Sequence, residues 1–508
     1  MSFARVFGAQ PSLPKAHIVS VEADLARGLH TFSIVGLPDK AVEEARDRVA
    51  SAIKNSGLVS PKSLNKKIVI SLAPAELKKE GSTFDLPVAL SYLHAAADIS
   101  FDPAGKMFAG EVALDGTLNP IRGALSIALA AREGGFKELF LPDANAEEAA
   151  LVSSITIYPV RTLGDVLKHL SKDDFTLPVY KRRHAKPVLD ESEGPTLDDI
   201  RGQESAKRGL EIASAGRHNI ALYGPPGTGK TMLARAAREL LPDLSLDETI
   251  EVTAIHSLAG TLSGGPVFRP PFRSPHHTSS YASLIGGGSV PRPGEVTLAH
   301  RGVLFLDEFA EFHRDVVNAL REPLEDKVVS VARARASSIF PANFMLIAAL
   351  NPCPCGHLGT ARCECLPHNV EKYKRKISGP VADRIDMWVQ VGDMPPEALT
   401  KKAKKASGEG ERTRTHISRA REIQQQRFRD TKGLTTNADM KAKHIETHAD
   451  LSEKAEQTLV EAARRLKLSP RGFHRTIKLA RTIADLSESK TIEPSHMLEA
   501  LQYRVREL

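Results

Sequence analysis

The segment NIALYGPPGTGKTMLARAA, residues Asn219–Ala237, decides the fold of this chain. Its apolar run, Ile220–Tyr223, precedes a glycine-rich stretch and a helical pattern, which fits G-x-x-x-x-G-K-[ST] in the required strand–loop–helix setting. Glycines let backbone N–H groups converge on phosphate oxygens, and the amino end of the helix adds a favourable dipole. The alternative is a glycine-rich turn with an incidental lysine. The predicted phosphate loop consists of Gly224, Pro225, Pro226, Gly227, Thr228, Gly229, Lys230 and Thr231.

The residue types in this loop indicate ATP and Mg²⁺ as cofactors. Lys230 is placed to reach the β- and γ-phosphates, and Thr231 supplies a hydroxyl to Mg²⁺. A second motif, GVLFLDEF at Gly302–Phe309, is a buried-strand pattern that ends in two acids. We expect Asp307 to hold the Mg²⁺ shell and Glu308 to polarise the attacking water, and an acidic pair at a helix start is the alternative.

A third apolar run, Phe344–Leu350, predicts a further strand of the same sheet. It ends at Asn351, an uncharged donor and acceptor that is able to hold the water or the γ-phosphate. We therefore add Asn351 to the predicted catalytic residues.

Composition limits the class of protein. The chain has 508 residues, which corresponds to about three domains. Its 41% hydrophobic and 26% charged residues argue against a disordered, collagen-like or membrane protein. The net charge of +7 permits a polyanionic partner without requiring one. The amino terminus lacks a signal-peptide pattern, no apolar run has the length of a membrane span, and all four cysteines lie between Cys353 and Cys365, so we expect a cytoplasmic protein.

The pattern of elements predicts an α/β chain in three parts. Residues 1–171 read as an α/β domain with a strand at Lys67–Leu72, and with a helix that has Pro38 in its first turn and ends at Gly57. A charged, proline-containing linker follows at 172–195. A second α/β domain covers 196–393, and 394–508 is almost wholly helical in pattern.

The four cysteines form a compact cluster, Cys353-Pro-Cys355 followed by Cys363-Glu-Cys365, with His357 and His368 nearby. Four soft ligands this close favour tetrahedral Zn²⁺ in a closed structural site. C-x-C spacing is less usual than C-x₂-C, and four reduced thiols in a loop are the alternative.

With SGPVADRID (Ser378–Asp386) and SPRGFHRTIKLARTIADL (Ser469–Leu486), these motifs resemble the AAA+ ATPases, and within them the magnesium-chelatase-like ComM/YifB family. The resemblance covers nearly the whole chain. It implies that residues 1–171 form a Lon-protease-like domain of the ribosomal S5 domain 2 type, without peptidase activity. It further implies a P-loop ATPase core with the cysteine cluster at 196–393 and a helical lid at 394–508.

The resemblance also implies residue roles and an assembly. The phosphate loop is similar to Walker A, Asp307 and Glu308 to Walker B, and Asn351 to sensor 1. Arg384 corresponds to an arginine finger that serves the neighbouring subunit's nucleotide, and Arg471 to sensor 2, with Arg475 as its nearest competitor. The family forms hexameric rings, so a single chain is expected to be a poor ATPase.

Basic residues outside the nucleotide motifs make DNA the expected polymer. Val328–Phe344 alternates apolar residues with Arg333 and Arg335, and in related motors a hairpin here projects into the ring pore. The alternative for both arginines is surface solubility. The long insertion Leu258–Gly302 is expected to contact nucleic acid or a neighbouring subunit through Arg269, Arg273, His276, His277, Phe268, Phe272 and Tyr281. Further basic residues lie in the linker (Lys181, Arg182, Arg183, Lys186) and after residue 418 (Arg419, Arg421, Arg427, Arg429, Lys432, Arg464, Arg465, Lys467, Arg471, Arg475, Lys478, Arg481).

Three functions are weighed. The first is a DNA motor of the helicase or branch-migration type, acting on recombination intermediates during the integration of incoming DNA in natural transformation. The second is a motor subunit of a metal chelatase that inserts Mg²⁺ into a porphyrin. The third is a Lon-like peptidase, in which Ser82 or Thr83 imitates the nucleophile, but Arg122 stands where a lysine base is expected and guanidinium does not deprotonate in proteins.

Overall fold

The computed structural model describes residues 3–13, 15–171, 175–181, 194–262, 264–288, 292–333, 336–358, 362–377, 381–393, 408–431 and 433–504, without the side chains of 332–337. It contains two compact units. Met1–Val188 and Ser245–Phe268 form the first, and Leu189–Leu244 and Arg269–Leu508 form the second. Most of the expected linker, including Arg182, Arg183 and Lys186, lies outside the described residues.

The first unit is built on a four-stranded mixed sheet and a three-stranded parallel sheet. Along His17–Arg27 the side chains of Val19, Val21, Ala23 and Leu25 are buried in alternation, as expected for a strand with one face on the core. In spatial order the two sheets are Phe3–Gln10, His17–Arg27, Lys66–Ala73, Thr31–Val35, and Lys106–Phe108, Glu138–Pro142, Thr156–Val160. A small hairpin pairs Glu111–Val112 with Leu118–Asn119. The helices are Lys40–Asn55, Asp85–Ala96, Ala124–Glu133, Ala146–Ala149, Leu163–Leu170 and Leu246–Ala259, with 3₁₀ turns at Pro61–Ser63 and Asp143–Asn145.

The first helix corrects one detail of the sequence analysis. Its N-cap is Asp39, whose carboxylate accepts a hydrogen bond from the backbone N–H of Val42 at 2.9 Å. Pro38 therefore precedes the cap. The sequence-based prediction that it lies in the first turn is wrong. The predicted end is confirmed, because Gly57 follows the C-cap Ser56 with a φ of +85°.

The helix Leu246–Ala259 belongs to the first unit although it lies between the two nucleotide motifs in sequence. It begins with a capping box formed by Ser245 and Glu248. Its Ser257 hydroxyl accepts a hydrogen bond from the backbone N–H of Gly123 at 3.0 Å, and Ala254 joins a buried apolar cluster of this unit. Both apolar and polar contacts therefore hold this helix in the first unit.

The second unit is organised around a five-stranded parallel sheet. Its central strands are buried along almost their whole length, which explains why they read as continuous apolar runs in the sequence. The spatial order is Phe272–Arg273, Val303–Leu306, Met345–Leu350, Ile220–Tyr223 and Met387–Gln390. Two hairpins pair Gly286–Gly287 with Arg292–Pro293 and Val328–Arg333 with Ala336–Pro341.

The predicted helical region after the sheet is confirmed in the described residues. The helices before and among the strands are Glu204–Gly216, Lys230–Leu240, Tyr281–Ile285, Glu295–Leu298, Arg314–Ala319, Arg321–Asp326 and Pro367–Ile377, and those after them are Glu409–Phe428, Ala442–His448, Glu453–Arg465, Pro470–Leu486 and Pro494–Gln502. Short 3₁₀ turns occur at Leu197–Asp199, Phe309–Glu311, Ala382–Arg384 and Asn437–Asp439. None of the helices in the described part of the chain combines the length and apolar character that a bilayer crossing requires.

A buried polar network holds the late helices of this unit to its core. Asp485 accepts hydrogen bonds from Arg427 and from Asn437 Nδ2, each at 2.8 Å, and from Arg481 Nε at 3.1 Å. His218 Nε2 lies 2.7 Å from the hydroxyl of Thr482, and burial lowers the pKa of this histidine to about 4. The imidazole is therefore neutral at physiological pH, and its hydrogen bond joins the end of the Glu204–Gly216 helix to the Pro470–Leu486 helix.

Candidate active site

The phosphate loop lies where the central strands of the parallel sheet end. Ile220–Tyr223 runs into the loop, and its neighbour Met345–Leu350 runs into Asn351. The next strand, Val303–Leu306, runs into Asp307. Because parallel strands present their carboxyl ends at one edge, the three motifs predicted separately from the sequence meet at the same place.

Close backbone contacts require glycine in this loop. A Cβ on Gly224 would lie 2.0 Å from the carbonyl oxygen of Val391, so no larger residue fits without moving the chain. Gly227 and Gly229 have φ angles of +79° and +89°, in the region that favours glycine. The loop then enters the helix Lys230–Leu240, whose first N–H groups are available to an anion.

Lys230 is held at the mouth of the loop. Its Nζ donates to the carbonyl oxygens of Gly224 and Pro225, both at 2.7 Å, and to Asn351 Oδ1 at 3.2 Å. The residue is 8% exposed, and burial lowers the pKa of its ammonium group, an effect that the negative charges of Asp307 and Asp393 oppose. The contact joins Lys230 to Asn351, 121 positions further along the chain, beside the phosphate loop.

The residues predicted to hold Mg²⁺ are hydrogen-bonded to each other. Thr231 Oγ1 donates to Asp307 Oδ2 at 2.8 Å, and the other oxygen of Asp307 accepts from the backbone N–H of Glu308 at 3.0 Å. A hydroxyl and a carboxylate beside a phosphate loop form the hard oxygen donor set that Mg²⁺ prefers. Thr231 and Asp307 therefore fit the role that the sequence analysis gives them.

Glu308 follows Asp307 with a backbone in the left-handed region, φ +51°. Its side chain is 54% exposed, and its Oε2 lies 3.2 Å from Nδ1 of His277. The carboxylate is therefore at the same sheet edge as the phosphate loop, accessible to water, and in contact with a residue of the long insertion.

Arg384 and Arg471 lie together but away from the phosphate loop of their own chain. Arg384 donates to Glu325 at 2.6 Å and Arg471 contacts the same carboxylate at 3.4 Å. The carbonyl of Arg384 accepts from Asn219 Nδ2 at 3.2 Å, and Asn219 immediately precedes the strand Ile220–Tyr223. The loop lies at the other end of that strand, about 13 Å away at the usual rise per residue.

Arg475, the competitor for the sensor 2 role, is directed inward. Its guanidinium donates to the carbonyl oxygen of Ile385 at 3.0 Å, and burial lowers its pKa. Arg471 is 69% exposed at the side chain, so of the two it is the more accessible to a ligand from outside the chain.

The four cysteines form the one group of metal-ligand type found among the described residues. Their Sγ atoms all lie within 4.8 Å of one another, with individual pairs at 3.4, 3.7 and 4.0 Å. Tetrahedral Zn²⁺ with Zn–S bonds of about 2.3 Å separates its sulfur ligands by about 3.8 Å, so the geometry fits zinc. A backbone hydrogen bond at His357 lowers the pKa of the Cys355 thiol, whereas the neighbouring thiols raise the pKa of Cys363 and Cys365.

The cysteine loop packs directly on the phosphate loop. Gly356, with a φ of +82°, faces Pro226, and a Cβ on this glycine would lie 2.5 Å from the Cδ of that proline. The two loops are therefore in direct contact, with no space for a larger residue at position 356.

Several basic residues expected to face a nucleic acid are paired within the protein. Arg273 makes a bidentate ion pair with Glu295 at 2.6 and 2.8 Å, and Arg269 contacts Glu239 at 3.4 Å. After residue 418, five basic residues bond acceptors within the second unit: Arg421, Arg427, Arg475, Lys478 and Arg481. Arg464, Arg465 and Lys467 remain exposed where one helix ends and the next begins.

Of the two expected pore residues, Arg333 is the last residue of a described strand. Val328–Arg333 pairs with Ala336–Pro341, as the alternating pattern predicts. The side chain of Arg333 and the whole of Arg335 lie outside the described residues.

Sequence reasoning missed three residues of the site. Gln203 Nε2 donates to the carbonyl of Gly392 at 2.7 Å and lies 3.5 Å from that of Thr228, so it connects the loop to the last strand. Tyr373, whose pKa burial raises to about 12, bonds the backbone at Asn351. The sequence predicts a contact with nucleic acid or a neighbouring subunit for His277, and not its proximity to Glu308. All three act across long sequence separations, and the sequence carries no spacing that would identify them.

The residues considered for a peptidase do not form a serine–lysine pair in the first unit. The Ser82 hydroxyl donates to the carboxylate of Glu111, and Thr83 is buried. Lys79, the nearby amine, is fully buried and donates to backbone carbonyl oxygens, including that of Gly36 at 2.9 Å. In the described structure the Lys79 amine therefore bonds backbone oxygens and not the Ser82 hydroxyl.

Three family models match successive parts of the chain. The model described as magnesium chelatase, subunit ChlI, matches residues 196–399. Subunit ChlI of Mg-chelatase matches residues 21–145, and magnesium chelatase, subunit ChlI C-terminal, matches residues 408–504. The first of these includes the whole phosphate loop, both acids, Asn351 and the cysteine cluster.

Two of the curated relatives match over nearly the full length of the chain, and a third matches over a part of it. Competence protein ComM of Haemophilus influenzae is 40% identical over 508 residues, which cover 99% of this chain and 98% of that protein. YifB of Escherichia coli is 40% identical over 96% of this chain and 94% of its own length, and Lon protease 2 of Bacillus subtilis is 30% identical over 40% of this chain and 42% of its own length. Family membership implies ATPase activity with ATP and Mg²⁺, in agreement with the site geometry. The chain belongs to the ComM/YifB family of magnesium-chelatase-like AAA+ ATPases.

Proposed function

We propose that this protein is an ATP-driven DNA motor of the helicase or branch-migration type, which acts as a homo-hexamer on single-stranded or branched recombination intermediates. Its proposed setting is the cytoplasm, during the integration of incoming DNA in natural transformation. The main support is the full-length similarity to a protein named for competence, together with the contacts of Lys230 with Asn351 and of Thr231 with Asp307 at the carboxyl ends of the strands.

Each residue of the site has a role in hydrolysis. Lys230 binds the β- and γ-phosphates, and Thr231 and Asp307 would hold Mg²⁺, which supplies charge neutralisation of the phosphates. Asn351 orients the attacking water or the γ-phosphate. Glu308 accepts the proton of that water as its oxygen attacks phosphorus.

A neighbouring subunit completes the site in this proposal. Within one chain, Arg384 and Arg471 share the carboxylate of Glu325 at the sheet edge opposite the phosphate loop. Neither arginine is close to the phosphate loop of its own chain, so in this proposal both serve the nucleotide of an adjacent copy, Arg384 as arginine finger and Arg471 as sensor 2. Arg384 is 9% exposed at the side chain and would have to leave Glu325 to do so, whereas Arg471 is already exposed. Hydrolysis would then require a closed assembly, which is the property of a ring motor.

The proposed DNA contacts are electrostatic. Arg333 and Arg335, which belong in sequence to the Val328–Pro341 segment, would follow the phosphate backbone in the ring pore. Arg464, Arg465 and Lys467 offer a second exposed basic segment. Such contacts need positive charge and not base-specific shape, which suits a motor that moves along any sequence.

The parts of the chain have different proposed tasks. Residues 196–393 form the ATPase domain, and residues 394–508 are its helical lid. Residues 1–171 form a Lon-like domain without peptidase activity, which binds DNA or organises the ring, and 172–195 is the linker. The contacts of Ser82 and Lys79 in the first unit support the absence of peptidase chemistry.

We also propose that Cys353, Cys355, Cys363 and Cys365 hold a structural Zn²⁺. The sulfur separations support this site, and a Cys₄ set leaves no open position for catalysis. Through the contact of Gly356 with Pro226, the metal would keep the phosphate loop in shape.

Zinc removal is expected to weaken nucleotide binding. The protein as purified should contain one zinc per chain, and Cys363→Ser or a zinc-selective chelator should raise the Kd for ATP about tenfold, or about 1.4 kcal/mol, because the cysteine loop no longer supports Pro226. Metal analysis and equilibrium binding measure both quantities. Glu364→Gln is the control, since this exposed side chain lies between two of the cysteines and supplies no sulfur ligand. Protein that contains no zinc as purified would refute the zinc site. Unchanged ATP affinity after zinc removal would refute its support of the phosphate loop.

A chelatase motor is the second candidate, because the matched family models are those of a magnesium chelatase subunit. The two functions differ in what stimulates hydrolysis. We expect single strands or four-way junctions to raise the ATPase rate several-fold, and the DNA affinity to fall steeply with salt, as for any contact through phosphates. Stimulation by a porphyrin with a partner chelatase subunit, and none by DNA, would favour the chelatase function.

A further inference from the structure

We propose that Glu325 restrains the arginine finger Arg384, and that DNA on the hairpin of strands Val328–Arg333 and Ala336–Pro341 releases it. The inference rests on the proposed function and adds the regulation of the same site. Two observations carry it. One is the 2.6 Å ion pair between Arg384 and Glu325, and the other is the place of Glu325 on the helix Arg321–Asp326, which leads into the hairpin.

The ion pair holds the finger against its own chain. The side chain of Arg384 is 9% exposed, whereas that of Glu325 is 43% exposed. The hydrogen bond with Arg384 holds the pKa of the Glu325 carboxyl below its ordinary value, so this group is a charged acceptor at physiological pH. An arginine finger stabilises a neighbour's phosphoryl group only after its guanidinium has left such a partner. The single chain therefore keeps Arg384 in a position where it does not act on ATP.

Glu325 takes the place of a phosphate for two arginines at once. Arg471 Nη2 lies 3.4 Å from Oε1 of Glu325, the same oxygen that contacts Arg384. Two guanidinium groups around one anionic oxygen also form the arrangement that arginines make around a transferring phosphoryl group. The γ-phosphate of a docked neighbour can therefore compete with Glu325 for both arginines. This competition makes the release of Arg384 depend on the neighbouring subunit.

The helix that carries Glu325 is also bonded to the hairpin. Glu322 accepts hydrogen bonds from the Ser330 hydroxyl at 2.6 Å and from the Ser330 backbone N–H at 3.3 Å. Lys327, with a φ of +61°, turns the chain directly from this helix into the first strand of the hairpin. One short helix thus contacts the hairpin through Glu322 and the finger through Glu325. A displacement of the hairpin is therefore passed to the finger over only three residues.

DNA on the hairpin is the expected signal for release. The hairpin carries the proposed contacts with the phosphate backbone, so a strand that moves through the ring displaces it. A shift of the helix by about 1 Å would take the Arg384–Glu325 contact beyond hydrogen-bond distance. Turnover should then rise with the fraction of time that Arg384 is free of Glu325.

The test compares ATP turnover per chain with and without a four-way DNA junction in the full-length protein. Glu325→Gln keeps the size of the side chain and removes its charge, so turnover without DNA should rise about three- to tenfold. Glu325→Ala removes the acceptor altogether and should raise turnover at least as much. With the junction, both variants and the unchanged chain should reach similar turnover, so stimulation by DNA should fall below about twofold in the variants.

Two further variants show whether Glu325 acts through the finger. Asp326→Asn is the matched control, because this exposed carboxylate is the next residue of the same helix, and it should leave turnover and DNA stimulation unchanged. Arg384→Ala combined with Glu325→Gln should be as slow as Arg384→Ala alone, because no finger is left to release. Damage to the fold would lower turnover in every background and would not raise it.

Lower or unchanged DNA-free turnover in both Glu325 variants would overturn the inference, and so would a gain that persists in the Arg384→Ala background. Undiminished stimulation by DNA in the Glu325 variants would overturn the assignment of release to DNA. The proposed function fails differently. If the unchanged chain hydrolyses ATP without any response to DNA, while Glu325→Gln still raises turnover, the restraint stands and the DNA motor does not. An unchanged chain that hydrolyses no ATP overturns both.

Discussion

Glu308→Gln is expected to bind ATP with unchanged affinity and to hydrolyse it at least about 100-fold more slowly. The amide keeps the size of the side chain and its place after Asp307, but it cannot accept the proton of the attacking water. Lys230, Thr231 and Asp307 are untouched, so the protein should accumulate with ATP bound. Single-turnover hydrolysis and equilibrium binding of ATP measure the two effects separately.

The matched control is Glu311→Gln, three positions along the chain. Glu311 is exposed and contacts Lys376 at 3.5 Å, outside the phosphate loop. This variant should hydrolyse ATP at nearly the normal rate. If Glu308→Gln hydrolyses ATP within about threefold of the unchanged chain, a far smaller loss than general-base removal causes, Glu308 is not the base.

Arg384→Ala is expected to lower the maximal turnover about 10³-fold, with little change in ATP affinity. The guanidinium contacts Glu325 at the amino end of the strands, whereas the phosphate loop of the same chain lies at the carboxyl end. The loss should therefore concern transition-state charge at a neighbour's nucleotide and not binding at its own. Steady-state kinetics over a range of ATP concentrations distinguishes a fall in kcat from a rise in KM.

Mixing two inactive variants tests whether the site is shared. Lys230→Ala lacks a working phosphate loop but retains Arg384, and Arg384→Ala has the reverse defect. In a mixed assembly, some sites combine the phosphate loop of the Arg384→Ala chain with the arginine of the Lys230→Ala chain, and such sites between subunits are intact. The ATP turnover of the mixture should therefore exceed that of either variant alone by about tenfold or more, given the size of arginine-finger effects. A mixture with only the summed activity of its components would contradict action between subunits. The Lys230→Ala/Arg384→Ala double variant is the control, since every one of its sites lacks both the lysine and the arginine.

The nucleotide motifs were predictable because their residue types are dictated locally. Gly224 has no room for a Cβ beside Val391, and Gly227 and Gly229 have positive φ angles. The loop geometry therefore requires glycine at these positions, and the spacing of the glycines identifies the loop in the sequence. The cysteine cluster was predictable for a similar reason. Its two C-x-C pairs are separated by only a short loop, so their four sulfur atoms can come together without contacts from distant parts of the chain. The strand ends at Asp307 and Asn351 followed from continuous apolar runs.

The contacts that tertiary structure creates were not predictable. His277 meets Glu308 and Gln203 meets the phosphate loop only because distant strands become neighbours in the sheet. The helix Leu246–Ala259 folds with the first unit, although its sequence lies inside the ATPase segment. Pro38 precedes the helix because the side chain of Asp39 caps it, so the first helical residue is Lys40.

Charge in the sequence also overstated the surface available to DNA. Arg427 and Arg481 share the buried carboxylate of Asp485, and Arg273 is occupied by Glu295. A linear sequence does not reveal which cations are neutralised by partners far along the chain. Among the described basic residues expected to face DNA after residue 418, the exposed ones are Arg419, Arg429, Arg464, Arg465, Lys467 and Arg471, of which Arg419 contacts Glu488 and Arg471 contacts Glu325.

The most direct test of a shared, DNA-coupled site is the ATP turnover per chain, measured across a dilution series with and without a four-way DNA junction, alongside the mass of the assembly. Turnover per chain should rise steeply as hexamers form and rise again when DNA is added. The same turnover per chain in dilute single chains and in concentrated samples, with no response to DNA, would contradict the account.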